Sequence, residues 1–157
     1  MKTSIGLSDK GRNGSIEILS RLLSDEFLLY VKTRNYHWNV VGPDFSELHK
    51  FFEAQYEKLD EVMDEVAERA RALAGKSLGT MKEFLAQTRL KEQAGDQPKG
   101  KEMIANLLAD HEAIIVCLRH DLVTCAEKYQ DAGTSDFLTG LMEDHEKMAW
   151  MLRSYLE

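Results

Sequence analysis

With 157 residues, only two prolines and 43% hydrophobic residues, the chain is long enough to bury the core of one domain and has the composition of a helical protein. Its 27 acidic against 20 basic residues leave a net charge of −7, which disfavours nonspecific attraction to nucleic acid and suits cations. No apolar stretch approaches the length of a membrane span and the polar start MKTSIGLSDKGRNGS lacks a secretory leader pattern, so a soluble cytoplasmic protein is expected.

Residues 1–14 carry Lys2, Lys10 and Arg12 among glycine and serine breaks, and are expected to form a flexible arm. From Ser15 to about Asn39, Ile16, Leu19, Leu22, Leu23, Phe27, Leu28 and Val31 recur at helical spacing. The break VVGPD follows. Asp44 with Glu47 three residues on has the pattern of a capping box and opens a second helix, expected to run to about Ala74 and stop at Gly75. Thr80 with Glu83 starts a short helix over about 81–88, and KEQAGDQPKG at 91–100 reads as an exposed loop. A third long helix is expected from Lys101 to about Gln130, with Ile104, Leu107, Leu108, His111, Ile114, Ile115 and Leu118 on its apolar side. Asp131-Ala-Gly133 ends it, Thr134 or Ser135 caps the last helix, and that helix runs to the C-terminus. Four long helices joined by short, long and short connections predict an all-α four-helix bundle with one long crossover carrying an extra short helix.

The residues suited to chemistry concentrate in 34–69. His49, Glu53, Asp60, Asp64 and Glu68 fall near 0°, 40°, 20°, 60° and 100° around the second helix at about 100° per residue, one polar stripe. His49–Glu53 and Asp64–Glu68 are each i,i+4 pairs, yet His49 and Asp64 are separated by roughly 22 Å of helix at 1.5 Å per residue. A single chain therefore cannot bring both pairs to one ion. Two copies lying antiparallel across a two-fold axis near Lys58 and Leu59 would, which suggests a metal site shared between subunits. Imidazole with carboxylate suits Fe, Zn or Mn, and a solvated acidic face with a stray histidine is the plain alternative. A diiron site within one bundle normally shows Glu-x-x-His on two helices. Here Glu47-x-His49 and Glu143-x-His145 have the wrong spacing, and Glu112 is followed by Ile115. His111 and His145, each inside an Asp-His-Glu triplet, read as packing or surface residues, and His120 has no assigned role. Cys117 and Cys125, eight residues apart on one helix and so about 12 Å apart, cannot pair and read as small buried hydrophobes in a reducing compartment.

Asn35-Tyr36-His37-Trp38-Asn39-Val40, then Gly42, Phe45, Leu48-His49, Phe52 and finally Asp64-x-x-Ala67-Glu68-Arg69 resemble the signature of the Dps family, the miniature ferritins also called DNA-binding proteins from starved cells. The resemblance covers the ferritin-like bundle, about 15–157, including the helix order. It implies a hollow homo-dodecamer built from two-fold dimers, with a ferroxidase centre of two iron positions at each two-fold interface. Iron(II) is oxidised there, preferably by hydrogen peroxide, and stored as ferric mineral, protecting the cell and its DNA. Carried over by position, the ligands are His37, His49 and Glu53 from one subunit with Asp64 and Glu68 from its partner. The family usually has aspartate where this chain has the longer Glu53. Trp38 matches a tryptophan beside the site. Asp131 and Asp136 match pore acids at a three-fold axis, and are equally readable as helix N-terminal acids complementing the dipole. DNA binding, which in many members depends on a basic tail, is expected to be weak or absent, because the arm is sparsely basic and the net charge is −7. The rival functions are a nucleoid-associated DNA compactor with little oxidase activity and a purely structural helical assembly.

Overall fold

The computed structural model describes residues 3–157; Met1 and Lys2, part of the expected arm, lie outside the described residues. The helices are α1 (Asp9–Asn39), α2 (Phe45–Ala72), α3 (Met81–Gln87), α4 (Gly100–Val123) and α5 (Ala132–Ser154), with a π-helical turn at Thr124–Lys128 between the last two. α1 and α2 form one antiparallel hairpin, closed by contacts such as Tyr30 on Tyr56, whose ring centroids are 6.1 Å apart. α4 and α5 form the other, with Arg119 paired to Glu146 and Arg153 to Glu112. Between them, residues 73–99 travel the length of the bundle, so that Gly100 starts α4 beside Leu48 of α2. The expected four-helix bundle with a long crossover is what forms.

The core is a continuous stack of fully buried side chains, among them Leu19, Leu29, Phe52, Leu59, Leu118 and Leu138. Each such side chain contributes roughly 1.5–3 kcal/mol by leaving water, which is why helices of modest intrinsic propensity hold here. The crossover is fixed by polar contacts. The buried Asp25 accepts from the backbone N–H of Arg89 at 2.6 Å, from its Nε at 2.7 Å and from the Thr88 hydroxyl at 2.9 Å. α3 opens with the expected Thr80–Glu83 capping box, and Phe84 stacks on Phe27 of α1 with centroids 4.4 Å apart.

Four boundaries differ from expectation. Residues 9–14 belong to α1 and are not arm: Ser8 caps the helix by accepting from the Gly11 N–H. Gly11 and Gly14 are close-approach positions; a Cβ on Gly14 would lie 2.2 Å from the Tyr129 ring. α2 starts where expected, but Asp44 makes no side-chain cap. At the other end of α2 the left-handed residue is Ala74 (φ 60), while Gly75 is needed because a Cβ there would meet Ile16 at 2.9 Å. α4 stops at Val123, and the wider π turn that follows, closed by Tyr129 N–H to the Thr124 carbonyl at 3.2 Å, sets the Tyr129 ring against Gly14. Asp131, not Thr134 or Ser135, caps α5.

Candidate metal centre

The turn between α1 and α2 brings His37, in the last turn of α1, against His49, in the first turns of α2. Their rings stack with centroids 3.7 Å apart and planes 23° from parallel. Nδ1 of His37 lies 2.7 Å from the His49 carbonyl, and Nδ1 of His49 lies 2.9 Å from the His37 carbonyl. A carbonyl can only accept, so both Nδ1 atoms carry the hydrogen, and in the neutral rings the lone pair is on Nε2. The backbone thus selects in both rings the tautomer that a metal ligand needs, the role an outer-shell acceptor plays in metal sites.

Around the pair, Phe45 packs on His49 at 5.1 Å and Tyr56 meets His37 edge-on at 5.2 Å. The Tyr56 hydroxyl donates to Glu53 Oε1 at 3.3 Å, holding that carboxylate one turn beyond His49. Burial, and next the Glu53 charge, push the Tyr56 phenol above its ordinary value, so it stays a donor. Arg34 lies over the Tyr56 ring at 4.4 Å and beside the Trp38 ring at 5.7 Å. Trp38 is 64% exposed and Val41 82%, and with half-exposed Phe45 they make an apolar rim beside the histidines.

The structure brings His37 and His49 together, ties Glu53 to the Tyr56 that packs on His37, and leaves Asp64 and Glu68 apart. Both of the latter are exposed, far down α2. Among the described residues, no three His, Cys, Asp or Glu side chains of the one chain converge on a point that could hold a metal. Asp60, also on the stripe, is exposed.

A family model for the ferritin-like domain matches residues 16–157. DNA protection during starvation protein 2 of Bacillus anthracis is 39% identical over 142 residues, 90% of this chain and 95% of its own. The chain belongs to the Dps family. An uncharacterized low temperature-induced protein of Nostoc sp. is 51% identical over 156 residues, covering 99% of this chain and 87% of its own. Among solved structures, the Dps protein of Vibrio cholerae, described as a member of a broad superfamily of ferritin-like diiron-carboxylate proteins, superposes with a TM-score of 0.92 at 30% identity over 100% of this chain and 98% of that one.

The remaining residues singled out in this Dps chain divide clearly. Asp136 is exposed near the start of α5. Asp131 is buried and engaged: it accepts from the Thr134 N–H at 3.0 Å and hydroxyl at 2.6 Å and faces Arg69 at 3.3 Å. These contacts are those of a helix-capping acid. Burial alone would push Asp131 up; the Thr134 hydrogen bonds, with Ser15 and Arg69, hold it below the ordinary carboxylate value. Cys117 and Cys125 are unpaired, and burial pushes the Cys125 thiol up to about 11. His120 is exposed, whereas His111 and His145 are fully buried, packing rather than surface residues. Among the described residues no helix is long and apolar enough to cross a membrane.

Proposed function

We propose that this protein is a ferroxidase and iron store: it oxidises Fe(II), preferably with hydrogen peroxide, and holds the ferric product inside a hollow homo-dodecamer. The reading rests on one observation above the others, the reciprocal Nδ1–H bonds that stack two imidazoles and leave Nε2 as the nitrogen of each ring available to a metal. Neutral imidazole with carboxylate oxygen is a donor set that fits Fe(II). In the assembly, Asp64 and Glu68 of the facing copy complete the site, and two iron positions lie between the two chains. The apolar rim of Trp38, Val41 and Phe45 supports an interface there, since exposed apolar groups of this size beside a polar site mark association surfaces.

Fe(II) enters as substrate. Two ferrous ions together give both electrons that one peroxide needs: 2 Fe²⁺ + H₂O₂ + 2 H⁺ → 2 Fe³⁺ + 2 H₂O. Pairing the electrons denies peroxide the one-electron route to hydroxyl radical, the chemical basis of protecting DNA and the cell. The protein's part is to fix the rings, turn each Nδ1–H to a carbonyl so that Nε2 is the coordinating nitrogen, and hold Glu53 through Tyr56. Asp136 is the pore acid that guides Fe(II) inward, and Asp131 supports it by capping the same helix. Cytoplasmic work near the nucleoid follows from this role, without tight DNA binding by the acidic chain.

Anaerobic Fe(II) titration of the purified assembly followed by peroxide tests the reading. Two ferrous ions oxidised per peroxide are expected, with the fast phase lost in the His37→Ala and His49→Ala variants. Unaccelerated oxidation, or undiminished oxidation in both variants, would refute the assignment.

A further inference from the structure

At the centre of the bundle, away from His37 and His49, three ionisable side chains from three helices form a line. Glu26 of α1, His111 of α4 and His145 of α5 are each 0% exposed. Glu26 Oε1 lies 2.8 Å from His145 Nε2, and His145 Nδ1 lies 2.9 Å from His111 Nδ1. Among the described residues, Glu26 Oε2 and His111 Nε2, at the ends of the line, have no partner, and neither does the amide of Gln55 on α2. The donors are strung end to end and do not surround a point, so the arrangement holds protons and not a metal. Each unmet buried polar atom is a cost, and a cluster of them in the core calls for a reason.

We propose that Glu26, His145 and His111 form a proton-limited latch that makes the closed bundle sensitive to acid. The limit comes from geometry. The contact between the two Nδ1 atoms is a hydrogen bond only if one proton lies between them; two imidazolium rings would point N–H at N–H. The folded core therefore carries at most one imidazolium, paired with the Glu26 carboxylate. The unfolded chain, where both rings are in water, carries two once the pH falls below about 6.5.

The surrounding charges do not relieve this limit. On α1, Asp25 is turned to Arg89; on α4, Asp110 is engaged by Lys32 and Glu112 by Arg153. On α5, Asp144 pairs with Lys58 of α2, and Glu146 with Arg119; Gln55 of α2 is uncharged. Among the described residues the only ion-pair partner of Glu26 is His145. Burial, and next the proximity of His145, hold His111 well below its ordinary value, in keeping with the geometric limit.

The sign follows by linkage. A histidine whose folded value is depressed contributes stability that is present above the unfolded value and is lost as pH falls below it, by about tenfold in the unfolding constant per pH unit for each proton excluded. Taking up the excluded proton means parting α5 from α4, the pair that closes one side of the bundle.

The test is the unfolding equilibrium of the assembled protein from pH 8 to pH 4.5, for the native chain and for His111→Asn, whose amide can still donate to His145 Nδ1. The native unfolding constant is expected to rise below about pH 6.5 by close to one additional factor of ten per pH unit relative to the variant. His37, His49 and His120 are common to both and cancel, and His145 keeps its Glu26 partner in both. Should His111→Asn fail to fold, nitrogen-15 solid-state NMR of histidine-labelled native protein decides: one imidazolium at most is expected from this pair at pH 5. Equal pH slopes in the two proteins, or both rings charged in the folded state, would overturn the proposal.

Discussion

A site divided between two copies makes an arithmetic prediction. His49→Ala removes a ligand from one half and Asp64→Asn weakens the other, so an assembly made wholly of either variant has every site damaged. In a mixed two-fold pair the defects segregate: one site combines both losses, and the other combines an intact His37–His49–Glu53 cluster with an intact Asp64 and Glu68. With equal amounts of the two chains, about half the pairs are mixed and each has one native site of two, which restores about one quarter of native activity. For the proposed ligand set this follows because α2 separates His49 from Asp64 by roughly 22 Å, too far for one chain to close the site. The assay is peroxide-driven Fe(II) oxidation by co-expressed variants, compared with the parents and native protein at equal subunit concentration. Restoration to no more than the parental average would show that the ligands do not come from facing chains. Native-level activity in the Asp64→Asn parent would remove that residue from the set.

Gly14→Ala places a Cβ 2.2–2.6 Å from three Tyr129 ring atoms, so it should destabilise by about 1–3 kcal/mol through overpacking. In a Tyr129→Ala background the same change should become stabilising, by about 0.5–1 kcal/mol, since alanine is the better helix former; denaturant midpoints of the four proteins at one concentration measure this, and additivity would refute it. Asp131, held below its ordinary carboxylate value, contributes stability that is present above about pH 3.9 and lost as pH falls through the lower folded value. Asp131→Asn should flatten that acid limb of the thermal stability curve, and an unchanged limb would show that the Thr134 and Arg69 contacts do not act on its charge. In a gel shift near physiological salt, little retention of duplex DNA is expected; tight, saturable condensation would mean that a net charge of −7 is outweighed by a local basic surface.

The architecture was legible because each long helix has an apolar face and the connections alternate short, long, short. The approach of His37 to His49 was legible because the turn between them is short and carries a Gly-Pro pair. What resisted reading depended on tertiary neighbours. Gly11 and Gly14 read as breaks, yet they are small so that Tyr129, more than a hundred residues later, can approach α1. Asp44 and Glu47 carry a cap pattern that the α2 entry does not use, whereas Asp131, with Thr134 three residues on, capped α5 and had an equally visible pattern. His111 stands in register with Leu107, Ile114 and Leu118, which marks its face as inward, but the His145 ring awaiting it belongs to another helix and no spacing along α4 could reveal it.

The crossed bonds between His37 and His49 use only main-chain carbonyls of the same two residues, so what holds the rings is the length and shape of the intervening turn. That makes residues 37–49 a self-contained cassette. Transplanted with its turn onto another antiparallel helix pair, it should arrive with both imidazoles already oriented and in the right tautomer. By the same token, one residue inserted between Val40 and Asp44 would disable the pair without touching either histidine.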